Sequence, residues 1–119
     1  MTDIDLFTVA AFDAFAAALE GSSLHDQWGA RLAKVNRKIF ATHALAEDGL
    51  AAIIFKCPPE AFEGLTALLG VAQAPYFPRG HWVRVSATVD LAQIDLTACV
   101  ARSHGLVAGK RASPGRQTR

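Results

Sequence analysis

Residues 31–56 read RLAKVNRKIFATHALAEDGLAAIIFK, three apolar runs divided by two turn signals. Asn36-Arg37 separates the first two. Asn tolerates the positive φ that a two-residue hairpin demands, while Arg37 suits that place less well. Asp48-Gly49 separates the second run from the third. The three runs are expected to pair as an antiparallel meander. The third, LAAIIFK, is apolar on both faces and is expected near the centre of the sheet.

Helical patterns flank this meander. Residues 3–20 are Ala-rich, with Leu6, Val9, Phe12, Ala16 and Leu19 at helical spacing, Asp3 and Asp5 in the first turn and Gly21 as the stop. Asp13 sits within this apolar spacing, either paired with a base from the sheet, capping a neighbouring turn or facing water. SSLHDQWG reads as a connector with at most a short extended piece ending at Trp28. A second helix opens at CPPE, where Pro58 and Pro59 lose nothing by lacking an N–H. It shows a stripe of Phe62, Leu65, Leu68 and Leu69 and ends at Gly70. AQAPYFPRG reads as a loop and HWVRVSA as a fourth strand. DLAQIDLTACVARSHGLVA reads as a third helix, capped by Asp90 and broken near its end by Gly105. The order α-β-β-β-α-β-α predicts one α+β domain over residues 1–108, a mainly antiparallel sheet of about four strands with helices packed on one face.

Composition agrees with a globular chain that buries its own core: 51% hydrophobic and 19% charged residues in 119. No apolar run reaches the ~20 residues of a membrane span, and the acidic start MTDIDLF shows no secretory signal. Two cysteines, Cys57 and Cys99, lie far apart outside any CxxC pattern, which reads as free thiols in a reducing cytoplasm. The net charge of +1 conceals an asymmetry. Residues 109–119, GKRASPGRQTR, hold Lys110, Arg111, Arg116 and Arg119 and no acid, and are expected to be a disordered basic tail. The body before them is net acidic.

Within the body the charges sort by element. The first two helical segments carry Asp3, Asp5, Asp13, Glu20, Glu60 and Glu63 without a base. The strand region carries Arg31, Lys34, Arg37, Lys38, Lys56, Arg79 and Arg84. Alternation in HWVRVSA puts Val83 and Val85 toward the core and Trp82, Arg84 and Ser86 on the opposite face. Two readings of Trp82 stand side by side. One is a packing anchor; the other is a stacking surface for bases, flanked by cations.

The segments VNRKIFATHAL, FKCPPEAFEGL, APYFPRGHWVRV and ARSHGLVA, in this order, resemble the MmcQ/YjbR family of small bacterial proteins over about Trp28 to Ala108. Lys38, Ile39, Phe40 and Ala41 match its hairpin return strand, and Lys56, Pro58, Pro59 and Glu60 its helix start. Pro75, Tyr76, Trp82, Val83 and Val85 match its fourth-strand motif. Ser103, Leu106 and Val107 match its closing motif, where His104 replaces the usual Tyr. The resemblance implies a double-wing α/β fold and a DNA-binding role.

No P-loop, GxGxxG, GxSxG or zinc-type spacing occurs, so neither a catalytic residue nor a metal or cofactor is expected. His25, His43, His81 and His104 form no HxH or HxxxH pair. Cys57 before a helix start leaves open a nucleophile paired with His43 or His81, against a small apolar packing role. The leading expectation is a monomeric or weakly dimeric cytoplasmic domain with no membrane contact, binding DNA non-specifically. Arg31, Lys34, Arg37, Lys38, Lys56, Arg79, Trp82 and Arg84 would be its contacts. The alternative is a protein- or small-molecule-binding module with Tyr76, Phe77, His81 and Trp82 lining a pocket.

Overall fold

The computed structural model describes residues 5–27, 29–45, 49–74 and 80–109. Its elements, in chain order, are α1 (Val9–Ala18), β1 (Ser22–Gln27), β2 (Ala30–Val35), β3 (Lys38–Leu45), β4 (Ala51–Lys56), α2 (Pro59–Thr66), β5 (Val71–Gln73), β6 (Trp82–Ser86) and α3 (Leu96–Ala108). The strands form one sheet in the order β1-β2-β3-β4-β6-β5, antiparallel throughout. The α+β class and the meander follow the expectation; the number of strands does not. Six strands replace the expected four, because β1 is polar on both faces and β5 is three residues long. Neither has an apolar alternation of its own, and each becomes a strand by pairing with a neighbour.

The Asn36-Arg37 turn is as expected, with φ of 53° and 68° at its two central residues. Both are left-handed, the signature of the tight hairpin whose twist matches the strands it joins. The turn is tied to the end of α3, since Asn36 Nδ2 donates to the Ala108 carbonyl at 3.1 Å.

Helix boundaries moved where local capping outweighed composition. Asp5 accepts the Phe7 N–H through its side chain and the Thr8 N–H through its carbonyl, which makes a turn instead of a first helical turn. Thr8 then caps α1, its Oγ1 accepting from the Ala11 N–H at 3.2 Å. Asp90 likewise closes its own turn, accepting the Ala92 and Gln93 amides. Asp95, not Asp90, caps α3 by accepting the Ala98 N–H at 3.1 Å. Gly105 does not break α3, which runs on to a left-handed Gly109. Pro58 caps α2 and Pro59 opens it, as expected, but the helix stops at Thr66 and leaves Leu69 90% exposed.

All three helices pack on one face of the sheet. Phe12 of α1 meets His43 of β3, Phe62 of α2 meets His81, and His104 of α3 sits edge-on to Phe40 at 5.0 Å. The core between these layers contains Phe12, Phe40, Ile53, Phe55, Val83, Val85 and Val100. A bulge lies at its centre. Ala33 pairs with Ala41 and Lys34 with Ile39, so β3 carries one extra residue, Phe40, against β2. Phe40 and Ala41 are both fully buried in the core cluster, whereas alternation alone would have sent one to each face.

Candidate functional site

The bulge fixes which side chains reach the face of the sheet turned away from the helices. Register then places one row across the whole sheet: His25, Leu32, Thr42, Ile54, Arg84 and Ala72, one from each strand. Lys34 lies beside Ser23 and Ile39 on this face, and Lys56 lies beside Trp82 at its other end. Asp26 is the one acidic strand residue among those described, and it falls on the helix side, where it pairs with Arg31 at 2.7 Å. The face turned away from the helices therefore holds Lys34, Lys56 and Arg84 without a carboxylate among its described strand residues.

Arg31 corrects the sequence-based contact set. It belongs to the helix face, where its Nε and a terminal nitrogen donate to the two Asp13 oxygens at 2.9 and 3.0 Å. These hydrogen bonds raise its pKa above the ordinary value and engage it fully. The same contact answers the question of Asp13, which pairs with a base from the sheet. Arg37 and Lys38 are exposed at the hairpin tip. Arg79, Tyr76 and Phe77 lie outside the described residues, as do Trp28, Asp48, Pro75 and the tail from Lys110.

At the corner near β6 the backbone shapes the site. Gly80 has φ of +82°, and a Cβ there would lie 3.2 Å from Lys56 Cε, 3.4 Å from Trp82 Nε1 and 3.6 Å from Lys56 Nζ. The missing side chain allows the ammonium and the indole to close over this turn together. Trp82 is half-buried while Val83 and Val85 are fully buried, as the alternation in HWVRVSA predicted.

His81 and Trp82 stand on opposite faces, His81 against Phe62 at 5.2 Å, so no single pocket wall contains both. The other histidines have defined partners. His43 and His104 reach the Phe7 and Glu20 carbonyls through Nε2, each at 2.7 Å, and so fasten the chain on either side of α1. His25 meets Ser23 Oγ at 2.8 Å on the face turned away from the helices. Cys57 is 1% exposed within the core, and burial raises its pKa and that of Cys99. A thiol held neutral in this way is a packing group; the negative form that attacks electrophiles is disfavoured. Among the described residues no cluster of three or more His, Cys, Asp or Glu is arranged for a metal, and no helix is long and apolar enough to cross a membrane.

Sequence reasoning missed Thr42. It sits in the middle of the row facing away from the helices, between Leu32 and Ile54, only 6% exposed, and its Oγ1 is buried without a hydrogen-bond partner. Leu32 and Ala52 are also buried but lie outside the main core cluster. The bulge hid this apolar patch, because it breaks the alternation in KIFATHAL that would have revealed it.

A sequence model of the YjbR family matches residues 17–106. No curated protein is a significant match. Among solved structures, the chain is similar to a crystal structure of a protein from Pseudomonas syringae, determined by the Northeast Structural Genomics Consortium. The TM-score is 0.69 at 17% identity, covering 84% of this chain and 98% of that one. At that identity the likeness concerns the fold.

Proposed function

The chain belongs to the YjbR family, and on that premise we propose that it is a nucleic-acid-binding domain that uses the cations on the face of its sheet turned away from the helices. The observation that carries this reading is the division of charge across one sheet. Lys34, Lys56 and Arg84 occupy the face turned away from the helices, while Asp13, Asp26 and Arg31 are taken up with one another on the helix side. Cations free of carboxylate partners attract a phosphate backbone and release its counterions, which makes affinity sequence-independent and steeply dependent on salt. Arg37 and Lys38 extend the same surface at the hairpin tip. The domain acts in the cytoplasm as a monomer or weak dimer and does no chemistry of its own.

The test is binding of a labelled oligonucleotide across a salt series, with and without residues 110–119. Substituting Lys34, Lys56 and Arg84 together by Ala should reduce the slope of log affinity against log salt by about two to three units. An unchanged slope in that variant, or binding lost entirely with the tail, removes the sheet from the interface.

A further inference from the structure

The charges of β1 and β2 divide by face. Asp26 and Arg31 are turned to the helix side, where they and Asp13 of α1 hold one another. Lys34 is turned the other way and makes no ion pair among the described residues. Directly across from it on the edge strand is Ser23, and two residues further along the same side is His25. Ser23 and His25 are exposed and Lys34 is half-buried, whereas the middle of the same face is buried. A hydroxyl, an imidazole and an ammonium therefore share one accessible corner of the sheet, and no described carboxylate of β1 or β2 is turned toward it. Glu20, the last acid before β1, lies in the connection from α1, where its carbonyl accepts from His104.

His25 Nε2 and Ser23 Oγ stand 2.8 Å apart, and this contact gives the corner two states. With the ring neutral, Nε2 can hold the hydroxyl hydrogen, and the corner carries the single charge of Lys34. With the ring charged, both of its nitrogens carry hydrogen. Nε2 then donates to Oγ, and the hydroxyl hydrogen is released to point outward. The charged corner offers two cations and an O–H donor, a set suited to phosphate oxygens. Alone, Lys34 opposes the second charge; an anion seated between the two favours it.

We propose that Ser23, His25 and Lys34 form a phosphate-binding corner at the β1–β2 edge, one that strengthens as His25 takes up a proton. The phosphate is that of a nucleic-acid backbone, so the corner rests on the reading above, and the experiment separates the two. His43 and His104 are engaged with backbone carbonyls and His81 with Phe62, on the helix side, which leaves His25 as the histidine facing this surface.

Fluorescence anisotropy with the full chain would follow labelled oligothymidylate at one salt concentration, at about pH 8 and about pH 5.5, on either side of the ordinary imidazole range. Thymine takes up no proton between them. Affinity is expected to rise about three- to fivefold at the lower pH, the effect of one exposed ionic contact. His25→Gln should abolish this rise, Ser23→Ala should reduce it, and Lys34→Ala should weaken binding at both pH values. Ser23 and His25 are exposed, so neither substitution removes a core contact. Reciprocally, added oligothymidylate should raise the midpoint of the His25 ring titration followed by NMR. No rise in affinity at the lower pH, or a rise that survives His25→Gln, overturns the corner and leaves the salt-dependent sheet reading in place. Absence of salt-dependent binding at either pH removes both.

Discussion

Ser103, fully buried on α3, donates its hydroxyl proton to the carbonyl of Phe40 at 2.6 Å. Phe40 is the extra residue of the β3 bulge, where pairing in the sheet is interrupted. The Ser103 hydroxyl oxygen in turn accepts the Lys56 N–H of β4 at 2.8 Å. One side chain from a helix thus bridges β3 and β4 just beyond their Ala41–Phe55 pair, and joins α3, β3 and β4 at a point. It also anchors the strand end that carries Lys56 to the face turned away from the helices.

Ser103→Ala should therefore cost more than a typical hydrogen bond. It leaves a buried carbonyl and a buried N–H without partners, a loss of about 2–4 kcal/mol. Urea or thermal unfolding measures this. A loss below about 0.5 kcal/mol would show that the Phe40 carbonyl and the Lys56 N–H find partners without the helix.

Gly70 and Gly80 are both left-handed but predict different outcomes. A Cβ at Gly70, where φ is +88°, would lie 3.0 Å from both the backbone nitrogen and the Cα of Val89, which cannot move aside. Gly70→Ala should cost about 2–4 kcal/mol from strain and overlap together. The nearest atoms to a Cβ at Gly80 belong to the Lys56 and Trp82 side chains. Gly80→Ala should cost less, about 1–2 kcal/mol of strain, while displacing the ammonium and weakening oligonucleotide binding. Equal stability losses with no change in binding would contradict this assignment of the two glycines.

Arg37 occupies a turn position with φ of 68° that glycine fills at lower cost. Arg37→Gly should raise stability by up to about 1 kcal/mol and at the same time lower the salt slope of binding by about one unit. Opposite movement of stability and binding identifies a residue kept for its charge. A loss of stability would mean that the Arg37 side chain supports the hairpin.

Asp95 gives a pH dependence with a definite sign. The Ala98 amide first, and then the Thr97 hydroxyl, hold its pKa below the usual carboxylate value. A group with a lowered folded pKa stabilises the fold above its unfolded pKa, near about 3.9 for Asp, and that stability is lost as pH falls through the folded value. Asp95→Asn keeps an acceptor at the cap and removes the titration, so its stability should decline less between pH 5 and 2, a range set from about 3.9 downward. Parallel declines in the two proteins would remove Asp95 as a source of acid sensitivity.

The meander was readable because its signals are local. Asn36-Arg37 turns at the predicted place, and Val83 and Val85 point where alternation sends them. The family was readable too, from four short segments in register. β1 and β5 were not, since SSLHDQ and VAQ have no inner and outer face until they pair with β2 and β6. On the candidate surface, Lys34, Lys56, Trp82 and Arg84 were legible as a set. Arg31 was misplaced, because only the packing of α1 across β2 shows that Asp13 reaches it.

The sequence by itself determined the class of the fold, the central hairpin, the proline start of α2 and the opposite directions of Trp82 and Val83. Each depends on neighbours a few residues away, through dihedral preference or a two-residue period. Tertiary structure alone decided the bulge at Phe40, the Ser103 tie across it, the pairing of Arg31 with Asp13 and the buried hydroxyl of Thr42. Those depend on which helix lies over which strand. A contact between residues 13 and 31, or 40 and 103, leaves no period in the chain, and its partners meet only when the layers close.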